Sequence, residues 1–139
     1  MRIFTSGALV LSTFLTGCAF TDVQPLTATS FRVSTEGAPV CAASATRNVA
    51  FQAGAIEVIK RGGDRFIVAG NQSRQSSGGA IYNPDVYGGT VTTMTRSNED
   101  VIIQMLSPGD PGYDNGLSAR QVLGADWEAI VAGGTSNTC

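Results

Sequence analysis

Residues 41 to 70 constrain the fold more than any other stretch. They read CAASATRNVAFQAGAIEVIK, then Arg61-Gly62-Gly63 and Asp64, then RFIVAG. Ala45, Val49, Ala53, Ile56 and Ile59 recur at three- and four-residue spacing, which predicts one apolar face on a helix from about Cys41 to Lys60. The small alanines would let that helix sit close against a sheet. Basic residues in the last turn and glycine beyond end it. Arg65 to Gly70 then gathers aromatic and β-branched residues in a short apolar run, the pattern of a buried central strand.

Around this unit the pattern is mixed. Ser30 to Thr35 alternates Phe31 and Val33 against Arg32 and Ser34, as a half-buried strand does, and Glu36 to Pro39 reads as a turn. Asn71 to Gly89 is rich in serine, glycine, asparagine and proline and reads as a long mobile loop or a loose hairpin extension. Thr90 to Ser97 and Val101 to Leu106 read as two strands joined into a hairpin by a turn at Asn98-Glu99-Asp100. After a loop over Ser107 to Asn115, Ser118 and Gln121 resemble a capping box for a short helix around Leu117 to Leu123 that Gly124 stops. Asp126 is placed to cap a final turn through Trp127, Ile130 and Val131, with Trp127 packing on the core. No internal repeat is visible. The expected class is α+β: about four strands in a mostly antiparallel sheet, one main helix on a face, and short C-terminal helical turns.

The N-terminus carries a different kind of signal. Arg2 supplies a positive start, and Ile3 to Phe14 is a moderately apolar segment too short to span a bilayer. Leu15-Thr16-Gly17-Cys18 follows and resembles the lipobox of bacterial lipoproteins. That resemblance implies a signal peptide over residues 1–17, a diacylglyceryl group and palmitate on Cys18, and a lipidated tether over residues 18–28 ahead of one globular domain at 29–139. Gly17-Cys18-Ala19 also fits a small-x-small cleavage site, so an ordinary secretory signal is the competing reading. Alanine rather than aspartate at position 19 implies, by the same resemblance, an outer-membrane lipoprotein facing the periplasm if the host is Gram-negative. Gly63 to Val68, the loop Gly109-Asp110-Pro111-Gly112-Tyr113 and the run Leu123-Gly124-Ala125-Asp126-Trp127 are similar to a set of small, largely uncharacterised proteobacterial envelope lipoproteins. None of the three is a catalytic motif.

Cys41 and Cys139 remain as an even pair in an oxidising compartment and read as one disulfide. Closing a loop on the order of 100 residues stabilises by about 4.7 kcal/mol in the chain-entropy model. The competing redox reading lacks a closely flanking basic residue to activate either thiol.

Charge and composition narrow the function classes. The formal charge is −2, and removal of Arg2 leaves eight basic against eleven acidic side chains, or −3. Neither a nucleic-acid footprint nor a polybasic lipid-binding patch is present. Histidine is absent, which removes the usual proton shuttle and the commonest metal ligand. Asp110, Asp114 and Asn115 could contribute oxygens to Ca²⁺, but the EF-hand spacing is missing, and Asp114 or Asn115 more simply caps the next helix. Glu99 and Asp100 are adjacent, so on a strand they would point to opposite faces, which is wrong for an acid–base pair; they read as solvated turn residues. Serines 73, 76 and 77 have no histidine to act as base, Lys60 is the only lysine and suits a helix C-terminus, and Gly78-Gly79 lacks a Walker lysine. No catalytic residue, metal or cofactor is expected.

Tyr82, Tyr87 and Tyr113 fall outside the periodic segments and are the candidate partner contacts. The expectation is therefore a membrane-anchored, non-catalytic envelope lipoprotein acting as a protein-interaction or envelope-assembly component. The alternative is a periplasmic binding module for a small envelope ligand or polymer.

Overall fold

The helix expected between residues 41 and 60 forms over Ala43–Lys60 (α1), and every residue of the predicted face is buried or half-buried. Its end is a Schellman motif: Gly62 N–H donates to Ile59 O at 2.9 Å and Gly63 N–H to Val58 O at 3.0 Å. Gly62 takes φ +82° to make it, a conformation that glycine adopts without a Cβ penalty. In this computed structural model residues 19–84, 86, 88–135 and 138 are described. Residues 1–17, expected as a signal peptide, and Cys18, Tyr87 and Cys139 lie outside them.

Among the described residues five strands form one antiparallel sheet, against the expected number of about four. They are β1 (Ala19–Pro25), β2 (Ser30–Gly37), β3 (Arg65–Asn83), β4 (Thr90–Leu106) and β5 (Leu117–Ser118), in the order β1-β2-β4-β3-β5. The class is α+β, with two further short helices, α2 (Ala119–Leu123) and α3 (Trp127–Gly133). α1 covers one face of the sheet; Phe31, Val33, Phe66, Val101 and Ile103 beneath it are fully buried. At Gly54 a Cβ would stand 3.2 Å from Ile103 Cγ1, so the small-residue face does bring the helix close to the strands. α2 and α3 pack on α1, which explains why Ala50, Ala55 and Val58, off the predicted stripe, are buried too. Apolar material on two sides makes α1 a central helix rather than an amphipathic surface one.

Several local expectations are corrected. Residues 19–25, expected within the tether, pair with β2 along their whole length. Ala19, Thr21 and Val23 face α1 and are buried or half-buried, whereas Phe20, Asp22 and Gln24 face solvent, so the alternation of a half-buried strand was present in the sequence. Pro25 sits at the strand's end, where a missing N–H is tolerated. The turn at Asn98-Glu99-Asp100 does not form. β4 runs straight through it, and residues 90–97 and 101–106 both pair with β3 instead of with each other. Arg65 to Gly70 is not buried on both faces: Phe66 points into the core and Ile67 outward. Ser118 caps α2, its Oγ accepting from Gln121 N–H at 3.4 Å. Asp114 and Asn115 lie instead in a 3₁₀ turn at Tyr113–Asn115, and Asp126 makes no side-chain cap on α3.

Candidate functional site

The feature with least structural justification is the far half of the β3–β4 hairpin. Ala19, Gly37, Ser97 and Gln75 form one row across β1, β2, β4 and β3. Beyond it β1 and β2 have ended, while β3 and β4 continue for seven more cross-strand pairs, Ser76↔Arg96 to Asn83↔Thr90. At about 3.3 Å per residue this ribbon reaches roughly 20–25 Å past the sheet. Its described side chains are exposed on both faces, apart from a half-buried Met94. Of the segment expected as a loop or loose hairpin extension, residues 71–75 are strand within the sheet and residues 76–83 form one side of the extension.

Two register shifts set the faces of β3, one between Val68 and Gly70 and one between Ser77 and Gly79. Before the first, even-numbered residues face α1; between the two, odd-numbered residues do, which brings Ser73 opposite Glu99; past the second, Tyr82 again lies on the α1 side, opposite Val91. At the tip the Tyr82 hydroxyl donates to Gly88 O at 2.7 Å. Gly89 has φ +87°, and a Cβ there would stand 2.6 Å from the Tyr82 ring, so glycine is what lets the ring close over the turn. Ile81, Tyr82 and Val91 are 43%, 59% and 65% exposed, and Val86 is fully open. The aromatic–β-branched pair Tyr82–Val91 is the kind that steadies an isolated ribbon.

The three tyrosines proposed as contacts do not form one surface. Tyr82 is at the ribbon tip, and Tyr87 lies outside the described residues. Tyr113 is half-buried near the opposite end of β3, its ring 6.0 Å from the Arg65 guanidinium. Seventeen residues of strand separate Arg65 from Tyr82, on the order of 50 Å.

At the ribbon's root the uncovered face of the sheet forms a shallow groove of about 410 Å³ between β1, β2, β3 and β4. Phe20, Asp22, Ser34, Glu36, Arg74 and Asp100 line it. Two of its three carboxylates are paired with arginines. Ser34 Oγ donates to Asp100 Oδ1 at 2.6 Å, Arg74 Nη2 lies 3.3 Å from Asp100 Oδ2, and Arg96 Nη1 lies 2.6 Å from Glu36 Oε1. The groove therefore offers a hydrogen-bonding surface left net negative by Asp22, with one exposed aromatic at its rim.

On the other face the same strands hold a cluster that sequence reading missed. The Glu99 side chain is 3% exposed, accepts from Arg47 Nε of α1 at 3.3 Å and from Ser73 Oγ, while Arg47 Nη2 approaches Ser73 Oγ at 3.4 Å. Glu99 and Asp100 do point to opposite faces, but neither is a turn residue. A carboxylate partnered in this way can lie inside a strand because its lone pairs are occupied. The cluster clamps α1 to the ribbon's root.

In the loop at 107–116 Asp110 turns back on the loop itself: its Oδ2 accepts from Ser107 N–H at 2.7 Å. Among the described residues no group of three or more histidine, cysteine, aspartate or glutamate side chains could hold a metal ion. Trp127 is half-buried against the core, with the Arg120 guanidinium 5.0 Å from its ring. Cys41 is buried ahead of α1 and is disulfide-bonded. No helix among the described residues is long and apolar enough to cross a membrane. No protein-family model, no curated protein and no solved structure matches the chain.

Proposed function

We propose that the chain is a non-catalytic lipoprotein of the bacterial envelope, probing or holding another envelope component by contact. The ribbon of β3 and β4 is the observation that carries this reading. Seven cross-strand pairs leave the core and bury almost nothing, so they cost backbone entropy without a packing return within this chain. Ordered structure of that kind is explained by what it reaches. The anchor rests on the resemblance of Leu15-Thr16-Gly17-Cys18 to a lipobox, and Ala19 supports an outer-membrane location facing the periplasm in a Gram-negative host. With Cys18 acylated, Cys139 is the cysteine left to bond Cys41, which would tie the chain's end to the start of α1.

The polar stem of the ribbon and the open sheet face beside it form the surface for a protein partner. Photo-cross-linkers at Ser34, Gln72 and Ser76 are expected to trap one defined envelope protein in cells. A protein that stays uncross-linked from all three positions overturns the reading. The groove supports a second reading, a binding module for a small polar ligand or sugar polymer. Saturable thermal stabilisation by cell-wall or surface glycan fragments, lost in Asp100→Ala, would favour it.

A further inference from the structure

We infer that the ribbon tip is a second membrane contact, lying in the headgroup layer of the leaflet that holds the Cys18 lipid. This rests on the anchor reading above. β1 begins at Ala19, whose side chain is buried in the row from which the ribbon departs. Cys18 is one peptide unit, about 3.8 Å between Cα atoms, from that residue. No tether therefore separates the lipid from the folded domain. β1 also runs from Ala19 toward Pro25, away from the ribbon, so the anchor leaves the sheet from the same end as the ribbon does.

A domain held by the lipid at that row must bring its ribbon to the bilayer. The ribbon is several times longer than one headgroup layer, which is about 5–8 Å thick. Its outer edges carry unpaired backbone groups that hydrocarbon does not tolerate. The molecule therefore tips until the ribbon lies along the surface rather than piercing it. The chemistry of the ribbon suits that place. From Gln75 to Thr95 the chain carries no lysine or arginine and a single charged residue, Asp85. Tyr82 and Val91 are exposed side by side on one face of the ribbon and Ile81 on the other, and tyrosine favours the membrane–water interface. Two-point attachment by lipid and tip would restrict the domain's orientation and leave the polar stem facing a partner.

The test uses the full-length protein, purified from membranes and reconstituted in phosphatidylethanolamine–phosphatidylglycerol vesicles with or without dibrominated acyl chains. Tryptophan replaces Tyr82, or Val91 as a second reporter should Tyr82→Trp disturb the tip, and Gln24→Trp at the far end of β1 serves as the control. The expected result is that the tip reporters lose most of their emission to the brominated chains while Gln24→Trp and Trp127 do not. Protein that floats with vesicles while its tip tryptophan stays unquenched overturns the inference and leaves the anchor standing. Protein that fails to float overturns both. Shielding of the tip from water without bromine quenching also overturns it, in favour of a protein or a second copy of the chain.

Discussion

The two halves of one hairpin differ more than any two elements of this molecule. From Arg65 to Val68 and from Val101 to Met105, β3 and β4 lie under α1 and place Phe66, Val101 and Ile103 in the core. From Ser76 to Asn83 and from Thr90 to Arg96 the same strands pair only with each other, with the Arg96 side chain reaching back to Glu36 of β2. The backbone ladder is shared; the burial is not. Hydrogen bonds complete a ladder, but apolar area removed from water is what stabilises it. The near half therefore supports the fold, and the far half is held out by it.

Substitutions can break that contrast. Phe66→Ala should have the largest effect, a loss of about 3–5 kcal/mol in urea unfolding, because a fully buried aromatic leaves a cavity under α1. Glu99→Ala sits at the border of the halves. It strips Ser73 and the half-exposed Arg47 of their acceptor and should cost about 1–3 kcal/mol by the same measurement. Ser118→Ala removes the α2 cap and a hydrogen bond to Asp64, and about 1 kcal/mol is expected. Ile81→Ser in the far half should change the unfolding free energy by no more than about 0.5 kcal/mol. A large loss at Ile81 would mean that the ribbon contributes to folding after all. Hydrogen exchange sharpens the comparison without mutation: amides at 101–105 should be protected to the level of global unfolding, while those at 80–82 and 91–93 should exchange rapidly in detergent-free solution.

The near half was legible and the far half only in outline, for a physical reason. α1, its Gly62 stop and the strand at Phe66 are specified by periodicity and a glycine within a few residues of each other. The ribbon's sequence, with its serines and glycines, has the composition of a loop. It becomes strand because Thr90 to Arg96, far less loop-like, lies opposite. Glu99 was misplaced for the same reason, since Arg47 stands 52 residues away and Ser73 stands 26 away. β1 was the avoidable miss. Its alternation was visible, but closeness to Cys18 and the presence of Pro25 favoured a tether. The tyrosines shared a composition argument that carries no distance information, and the strand length then separated Tyr82 from Tyr113.

The two register shifts in β3 have a consequence for how such a chain can vary. Each extra residue inverts which side chains meet α1, so one added or lost residue between Gly70 and Ser77 would exchange Ser73 for a neighbour and leave Glu99 facing the wrong partner. Past Gly79 nothing is covered, and that restriction lapses. Added or removed pairs near the tip would change the molecule's reach while the helix-covered sheet stays as it is. Relatives are thus expected to share the sheet and differ in the length of the arm, each matched to the distance it must cover.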